Sequence, residues 1–392
     1  MVAYLVVFAA SALTSFVATP LVRSVAVRMG AIYQPNDRTV HAVPTPTIGG
    51  VALFAGLLAG LGASRILPFF DDMNRGSAEP LGALVACAAI LGLGLVDDLR
   101  RVTSLTKLTG QIFCAGLLVL AGVQLQYFVI PGRIVSLGAD LAVPLTVLWV
   151  VAIVNAVNLV DGLDGLAAGM VAIASGTFFV YMVSSDSLFG NASAAALLSC
   201  ITAGICLGFL PWNFHPAKIF MGDSGAMLLG MLVAIATISG VGRNPVPPSG
   251  GDLAVIAIPL LVPLLVLAVP FLDVALAIVR RARRNIELGQ ADKEHIHHRL
   301  IDIGHSHRQA VLLMYLWSGL ISASALAVGL IDGRLAAGAV LAGAVVLFLV
   351  TALPRLTERR RNGAHEAVSD GAGSNGGRVE RGTGHARRGS GR

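Results

Sequence analysis

Runs of about twenty apolar residues, repeated almost from end to end, constrain this chain more than any other feature of it. A helix rises ~1.5 Å per residue, so about twenty residues cross a ~30 Å hydrocarbon core. Helices of soluble proteins instead carry one apolar stripe against a polar face. Composition agrees: 55% of the 392 residues are hydrophobic and 13% are charged, against roughly 25% charged in soluble domains. Mean hydropathy is +0.78. Eleven runs are legible, at roughly 2–22, 49–70, 81–96, 108–125, 141–160, 165–184, 192–210, 223–241, 252–279, 309–330 and 335–353. The expected fold is therefore all-α, a polytopic integral membrane protein with about eleven transmembrane helices. Pro259, Pro263 and Pro270 predict kinks in the ninth run, tolerated where neighbouring helices cover the freed carbonyls. The first run has no basic leader and no A-x-A-like cleavage site, so it reads as a retained span rather than a signal peptide.

Lys and Arg set the orientation. The segments 23–48, 97–107, 161–164, 211–222, 280–308 and the tail after 353 hold 23 of the 28 basic residues. The opposite loops hold Arg65, Arg75, Arg133, Arg243 and Arg334. The positive-inside rule places the first set in the cytoplasm, the N-terminus outside and the C-terminus cytoplasmic. The net charge of +6 thus reads as a topology signal and a contact with anionic lipid; nothing points to nucleic acid. Cys87, Cys114, Cys200 and Cys206 fall in apolar runs without metal-like spacing, as buried free thiols do. Residues 1–353 form one multi-span membrane domain. The Gly-, Arg- and Ser-rich stretch 354–392 is expected to be a disordered basic cytoplasmic tail.

Polar residues of chemical interest crowd onto the segments assigned to the cytoplasm: Arg38 and His41, Asp97 and Asp98, Asn155 to Asp164, His215 to Asp223, and His295 to Arg299. Asp-Asp occurs twice, which supplies a control. Asp71-Asp72 lies beside Asn74, Arg75 and Gly76 in an outside loop and reads as solvated charge. Asp97-Asp98 closes a span in "LGLVDDLRR", where adjacent carboxylates need a cation. Mg²⁺ would serve, and so would Arg100, Arg101 and Lys107.

In "NAVNLVDGLDGL", Asn155, Asn158 and Asp161 recur at i, i+3, i+6 and share one helix face of about 120°. Gly162 and Gly165 let Asp164 turn separately. Such hard oxygen donors suit Mg²⁺; the same residues also read as asparagines bonding between helices, followed by Asp-Gly turns. "KIFMGDSG" opens the eighth run, and Asp223 serves equally as a helix-start acid or as a bridge through metal to phosphate. Phe220 is placed to stack on a base or to anchor at the interface. "DKEHIHHRL" carries His295, His297, His298 and Arg299. Zinc is disfavoured because the cysteines lie elsewhere and the other polar motifs offer oxygen, so these groups read as holding a pyrophosphate. Arg280, Arg281, Arg283 and Arg284 read as positive-inside anchors.

In order along residues 35–305, "PNDRTVHAVPTPTIGG", "VDDL", "NAVNLVDGLDGL", "FMGDSG" and "HIHH" resemble the polyprenyl-phosphate N-acetylhexosamine-1-phosphate transferases. That family includes the phospho-MurNAc-pentapeptide translocase and the eukaryotic dolichyl-phosphate GlcNAc-phosphotransferase. The translocase branch typically shows three consecutive His followed by an acid. His295-Ile-His-His298 followed by Arg299, with Arg38 three residues before His41, is similar instead to the bacterial branch acting with undecaprenyl or decaprenyl phosphate.

The resemblance implies transfer of GlcNAc-1-phosphate from UDP-GlcNAc to a polyprenyl phosphate with release of UMP, opening a cell-wall or surface-polysaccharide pathway. The reaction would run at the cytoplasmic face of a bacterial plasma membrane. The implied cofactor is Mg²⁺, with Mn²⁺ as a substitute; Asp223 and Asn158 would be its ligands. Asp97 would deprotonate or position the lipid phosphate, with Asp98 beside it; a covalent aspartyl intermediate is the competing route. Asp161 and Asp164 would face the nucleotide, Phe220 would stack on uracil, Asn155 would line the site and Lys107 would meet phosphate charge. His295, His297, His298 and Arg299 would hold the sugar-phosphate, completed by Arg38 and His41. Family members dimerise, so a homodimer is a further expectation. Alternatives are a sibling using another UDP-HexNAc or UDP-MurNAc-pentapeptide, and more remotely a transporter, whose acids would sit at mid-membrane on broken helices.

Overall fold

Nine of the eleven apolar runs coincide with helices in the computed structural model, which describes residues 1–33, 44–76, 79–130, 133–184, 193–241, 305–330, 338, 341–346 and 351. The runs 252–279 and, for the most part, 335–353 lie outside the described residues, as does the tail from 354. In chain order the elements are α1 (Val2–Met29), β1 (Ile32–Tyr33), β2 (Thr45–Pro46) and α2 (Gly50–Ile66). They continue with α3 (Asp71–Gly76), α4 (Glu79–Arg100), α5 (Ser104–Leu120), β3 (Tyr127–Ile130) and β4 (Arg133–Ser136). The last are α6 (Ala139–Val160), α7 (Leu166–Ser184), α8 (Ala194–Asn213), α9 (Gly222–Val241) and α10 (His307–Leu330).

Seven of these helices, among the described residues, are long and apolar enough to cross a membrane. An eighth span would be α2 with the segment that follows it, bent by 89°; Pro68 at the bend has no N–H to continue the ladder. α5, at 17 residues, is shorter. Two antiparallel hairpins add to the all-helical expectation: β1–β2 pairs Ile32 with Pro46, and β3–β4 pairs Tyr127 with Ser136.

Several helix ends overrun the apolar runs that announced them. α1 continues past residue 22 to Met29 and stops where Gly30 adopts φ 70, its N–H reaching Val27 O at 3.2 Å, a left-handed cap that glycine supplies without strain. α4 extends to Arg100, so Asp97 and Asp98 stand on its last helical turn and not in a loop. Hydropathy falls before helicity does, because charged residues at the final turn can still reach water. The side chain of Thr103 caps α5 by accepting from Thr106 N, and that of Ser193 caps α8 by accepting from Ala196 N, as short hydroxyl residues do.

α9 is the axis of the bundle, packed against α2, α4, α6, α7 and α8. Its apolar window is 83% buried, against 28% for α1, which separates a core helix from one that shows Leu5, Leu13, Val17 and Leu21 outward. α1 lies on α2 and α8, α10 lies on α7, and α5 bridges α4 and α6. The polar ends of α4, α5, α6 and α9 meet at one end of this bundle through contacts described next.

Candidate active site

Two adjacent carboxylates at the end of α4 have different partners. Asp98 accepts the N–H of Asp223 at 2.8 Å and that of Ser224 at 3.1 Å, capping the first turn of α9 where unpaired N–H groups and the helix dipole favour an anion. Close approach makes this possible. Gly222 has φ 70, and a Cβ there would lie 2.5–2.6 Å from the Asp98 oxygens. A Cβ on Gly94, one turn earlier on α4, would meet Ser224 Cα at 2.3 Å. The same segment is tied to the 44–50 stretch by Phe220 N to Pro46 O at 2.8 Å and Gly50 N to Met221 O at 3.0 Å.

Asp97 is buried and accepts from Val102 N at 2.9 Å. Its other oxygen lies 2.8 Å from Lys107 Nζ, which also reaches Asp223 Oδ1 at 2.7 Å. One ammonium on the first turn of α5 thus joins the end of α4 to the start of α9.

The asparagines of α6 divide similarly. Asn155 donates to Gln111 Oε1 at 2.6 Å and to Val151 O at 2.8 Å. Its amide clasps α6 to α5, so the interhelical alternative describes its hydrogen bonding. Asn158 and Asp161 are partly buried, and neither side chain has a hydrogen bond or ion pair among the described residues. The Asp161 carboxyl is pushed up to about 8, first by burial and then by the negative charge of Asp223, Asp98 and Asp164. Asp164 is buried and accepts from His215 Nδ1 at 2.6 Å and from Ala217 N at 3.1 Å. Phe220 meets Tyr33 edge-on at 5.9 Å. Arg38, His41, His295, His297, His298 and Arg299 lie outside the described residues.

Among the residues expected at the site, the structure joins Asp97, Lys107 and Asp223 directly, links Asp98 to α9 and assigns Asn155 and Asp164 to neighbouring protein groups. Sequence reasoning gave no role to Gln111, although a buried amide in the apolar run 108–125 is a signal in itself. His215 fell within a stretch already singled out, with no spacing to mark it.

A divalent cation fits this donor set. Among the described residues, Asp97 and Asp223 share the ammonium of Lys107 while Asp98 serves the cap, and the Asp161 carboxyl, raised first by burial, also feels the negative charge of Asp223, Asp98 and Asp164. Carboxylate and amide oxygens are hard donors of the kind Mg²⁺ takes.

A multi-span helical bundle with a carboxylate–lysine cluster at the joined ends of its helices defines a membrane-embedded protein whose charged site is assembled from several spans. Residues 80–241 match the family model described as "Glycosyl transferase family 4". The chain is 41% identical over 364 residues to the decaprenyl-phosphate N-acetylglucosaminephosphotransferase of Mycobacterium leprae, covering 89% of each. It is 38% identical to the probable undecaprenyl-phosphate N-acetylglucosaminyl 1-phosphate transferase of Bacillus subtilis, over 83% of this chain and 85% of that one. The phospho-N-acetylmuramoyl-pentapeptide-transferase of Rhodococcus opacus is 35% identical over 50% of this chain and 63% of its own length. The chain belongs to the polyprenyl-phosphate N-acetylhexosamine-1-phosphate transferase family.

Proposed function

We propose that the chain transfers GlcNAc-1-phosphate from UDP-GlcNAc to a bacterial polyprenyl phosphate at the cytoplasmic face of the membrane, in a Mg²⁺-dependent reaction. An oxygen of the lipid phosphate forms a bond to the sugar-linked phosphorus while the bond to the UMP oxygen breaks, leaving polyprenyl-PP-GlcNAc and UMP. One phosphoanhydride replaces another, so UMP should drive the reaction backward. The observation that carries this reading is Lys107 held between Asp97 and Asp223 at 2.8 and 2.7 Å, with the Asp161 carboxyl close enough to feel the charge of Asp223. Phosphoryl transfer needs alignment and charge cancellation more than covalent help from protein, and this cluster supplies fixed charge of both signs.

In this reading Asp223 and Asn158 would hold Mg²⁺, and Asp161 would line the same site. When bound, Mg²⁺ would supply positive charge toward the pyrophosphate. Asp97, held by Val102 N–H and Lys107, orients the incoming phosphate and takes its proton. Asp98 fixes the start of α9, and with it the direction of Asp223. Phe220 and Asp164 border the nucleotide, while Arg38, His41, His295, His297, His298 and Arg299 grip the sugar-phosphate. The cytoplasmic face is supported by the bias of basic residues.

The test is UMP release by purified protein in lipid nanodiscs, with Mg²⁺ and decaprenyl or undecaprenyl phosphate. UDP-GlcNAc should support turnover and UDP-MurNAc-pentapeptide should not. Asp223→Asn and Asp97→Asn should each lose about 10²-fold or more in kcat. Near-wild-type turnover in both variants would sink the site assignment, and preference for the pentapeptide donor would overturn the substrate.

A further inference from the structure

Three chain segments meet at His215. Its Nδ1 lies 2.6 Å from Asp164 Oδ2, in the turn between α6 and α7. The same carboxylate oxygen takes the N–H of Ala217 at 3.1 Å. The His215 ring stacks on that of His307, the first residue of α10, with centroids 4.2 Å apart and planes at 18°. Its carbonyl accepts from Arg308 Nε at 3.0 Å. Two helical turns further along α10, Tyr315 donates its hydroxyl to Gly165 O. Gly169 on α7 is what lets that ring approach, since a Cβ there would lie 2.1 Å from Tyr315 Cζ.

Asp164, His215 and His307 also offer three ligand atoms within 4.8 Å of one another, but the geometry favours hydrogen bonding over a shared ion. Tetrahedral zinc at ~2.0–2.2 Å from each ligand separates neighbouring ligand atoms by about 3.3 Å, and Asp164 Oδ2 and His215 Nδ1 are 2.6 Å apart. Stacked imidazoles also direct their in-plane lone pairs side by side rather than toward one point. The carboxylate instead orients the imidazole as an acceptor orients a catalytic histidine.

We propose that His215 is a positioning residue: through Asp164 and His307 it latches the Asp161–Gly165 turn to the 214–221 loop and to the start of α10, holding Asp161 in register with Asp223. The latch joins the two segments that carry these acids. Asp161 is three residues before Asp164, and Asp223 is eight after His215. Among the described residues neither acid has a hydrogen bond or ion pair to the other's segment, so a loosened latch changes the reacting geometry while the apolar core stays packed.

The proposal rests on the transferase reading for its kinetic arm, and hydrogen exchange supplies an arm that does not. The full chain in nanodiscs is compared as wild type, His215→Ala, His215→Asn and His307→Phe. Amide exchange over 161–169 should run about tenfold faster in His215→Ala, as expected on losing a charge-assisted hydrogen bond. It should return toward wild type in His215→Asn, whose amide N–H replaces that of Nδ1. In UMP release, His215→Ala should lose about 10- to 100-fold in kcat, the effect of displaced reacting groups, with KM for UDP-GlcNAc little changed. His215→Asn should recover most of that loss. His307→Phe, which keeps an aromatic ring against His215, should lose less than His215→Ala in both readouts. Unchanged exchange in His215→Ala, or no recovery in His215→Asn, overturns the latch. Stoichiometric zinc in the wild type that is lost in His307→Phe overturns it in favour of a metal site. If the wild type releases no UMP, the transferase reading fails and the exchange arm still decides the latch.

Discussion

Lys107 occupies the oxygens that a divalent cation would want, and replacing it separates two consequences that usually move together. Lys107→Gln removes the ammonium 2.8 Å from Asp97 and 2.7 Å from Asp223. A Mg²⁺ held by Asp223 would be repelled by that ammonium, by roughly 1.7 kcal/mol for charges of +2 and +1 about 5 Å apart even at the dielectric of bulk water. Removing it should raise cation affinity by about tenfold or more. Turnover should move the other way. Lys107 is 17% exposed, and its partners are 9% and 33% exposed. Stranding one side of a largely buried ion pair costs about 3 kcal/mol, which is about 10²-fold if it falls on the transition state. Lys107→Arg should recover only part, because a planar guanidinium does not reproduce a point charge between two carboxylates. The assay is UMP release across a Mg²⁺ titration, read beside Mg²⁺ binding by calorimetry in nanodiscs. A variant with wild-type turnover and an unchanged Mg²⁺ midpoint would refute the reasoning.

Three further outcomes follow from the same geometry. With the Asp161 carboxyl pushed up to about 8, the group is largely protonated at pH 7, so cation binding should release a proton whose yield shrinks as pH rises through 8; Asp161→Asn should abolish that release when binding is measured by calorimetry in two buffers of different ionisation enthalpy. Gly94→Ala would drive a Cβ to 2.3 Å from Ser224 Cα, and should destabilise by about 1–3 kcal/mol, seen as a lowered thermal midpoint in detergent. Gln111→Ala and Asn155→Ala each remove the bond between the two amides, leaving Asn155 only Val151 O in the first and stranding the buried Gln111 amide in the second, at about 1–3 kcal/mol each; the double variant should fall well short of additivity.

Spans were legible because a run of apolar residues long enough to cross a bilayer has few alternatives in water. Their ends were not, since hydropathy reports where charge begins and not where the backbone ladder stops. That is why α4 carries Asp97 and Asp98 on a helical turn. The hairpins escaped notice because "YFVI" and "RIVS" are short apolar stretches that blend into a chain already rich in them. Within the site, the face shared by Asn155, Asn158 and Asp161 was legible from spacing. What separates Asn155 from the other two is Gln111, a residue 44 positions earlier, and spacing along one helix cannot report a partner on another.

The Asp97-Asp98 pair shows how adjacency in sequence misleads about chemistry. Two neighbouring acids suggest a chelate, but successive residues on a helix project about 100° apart, so both cannot readily address one ion. The structure uses that divergence: Asp98 turns to the N–H groups of Asp223 and Ser224, and Asp97 turns to Lys107. Asp98 thereby sets where α9 begins and Asp97 shares a cation with the acid that α9 presents. The two roles require different chemistry from the same residue type. An asparagine at 98 keeps one acceptor oxygen for the cap, whereas an asparagine at 97 loses the charge that faces Lys107. Conservative substitution should therefore be far milder at Asp98 than at Asp97, the reverse of what a symmetric pair of metal ligands would give.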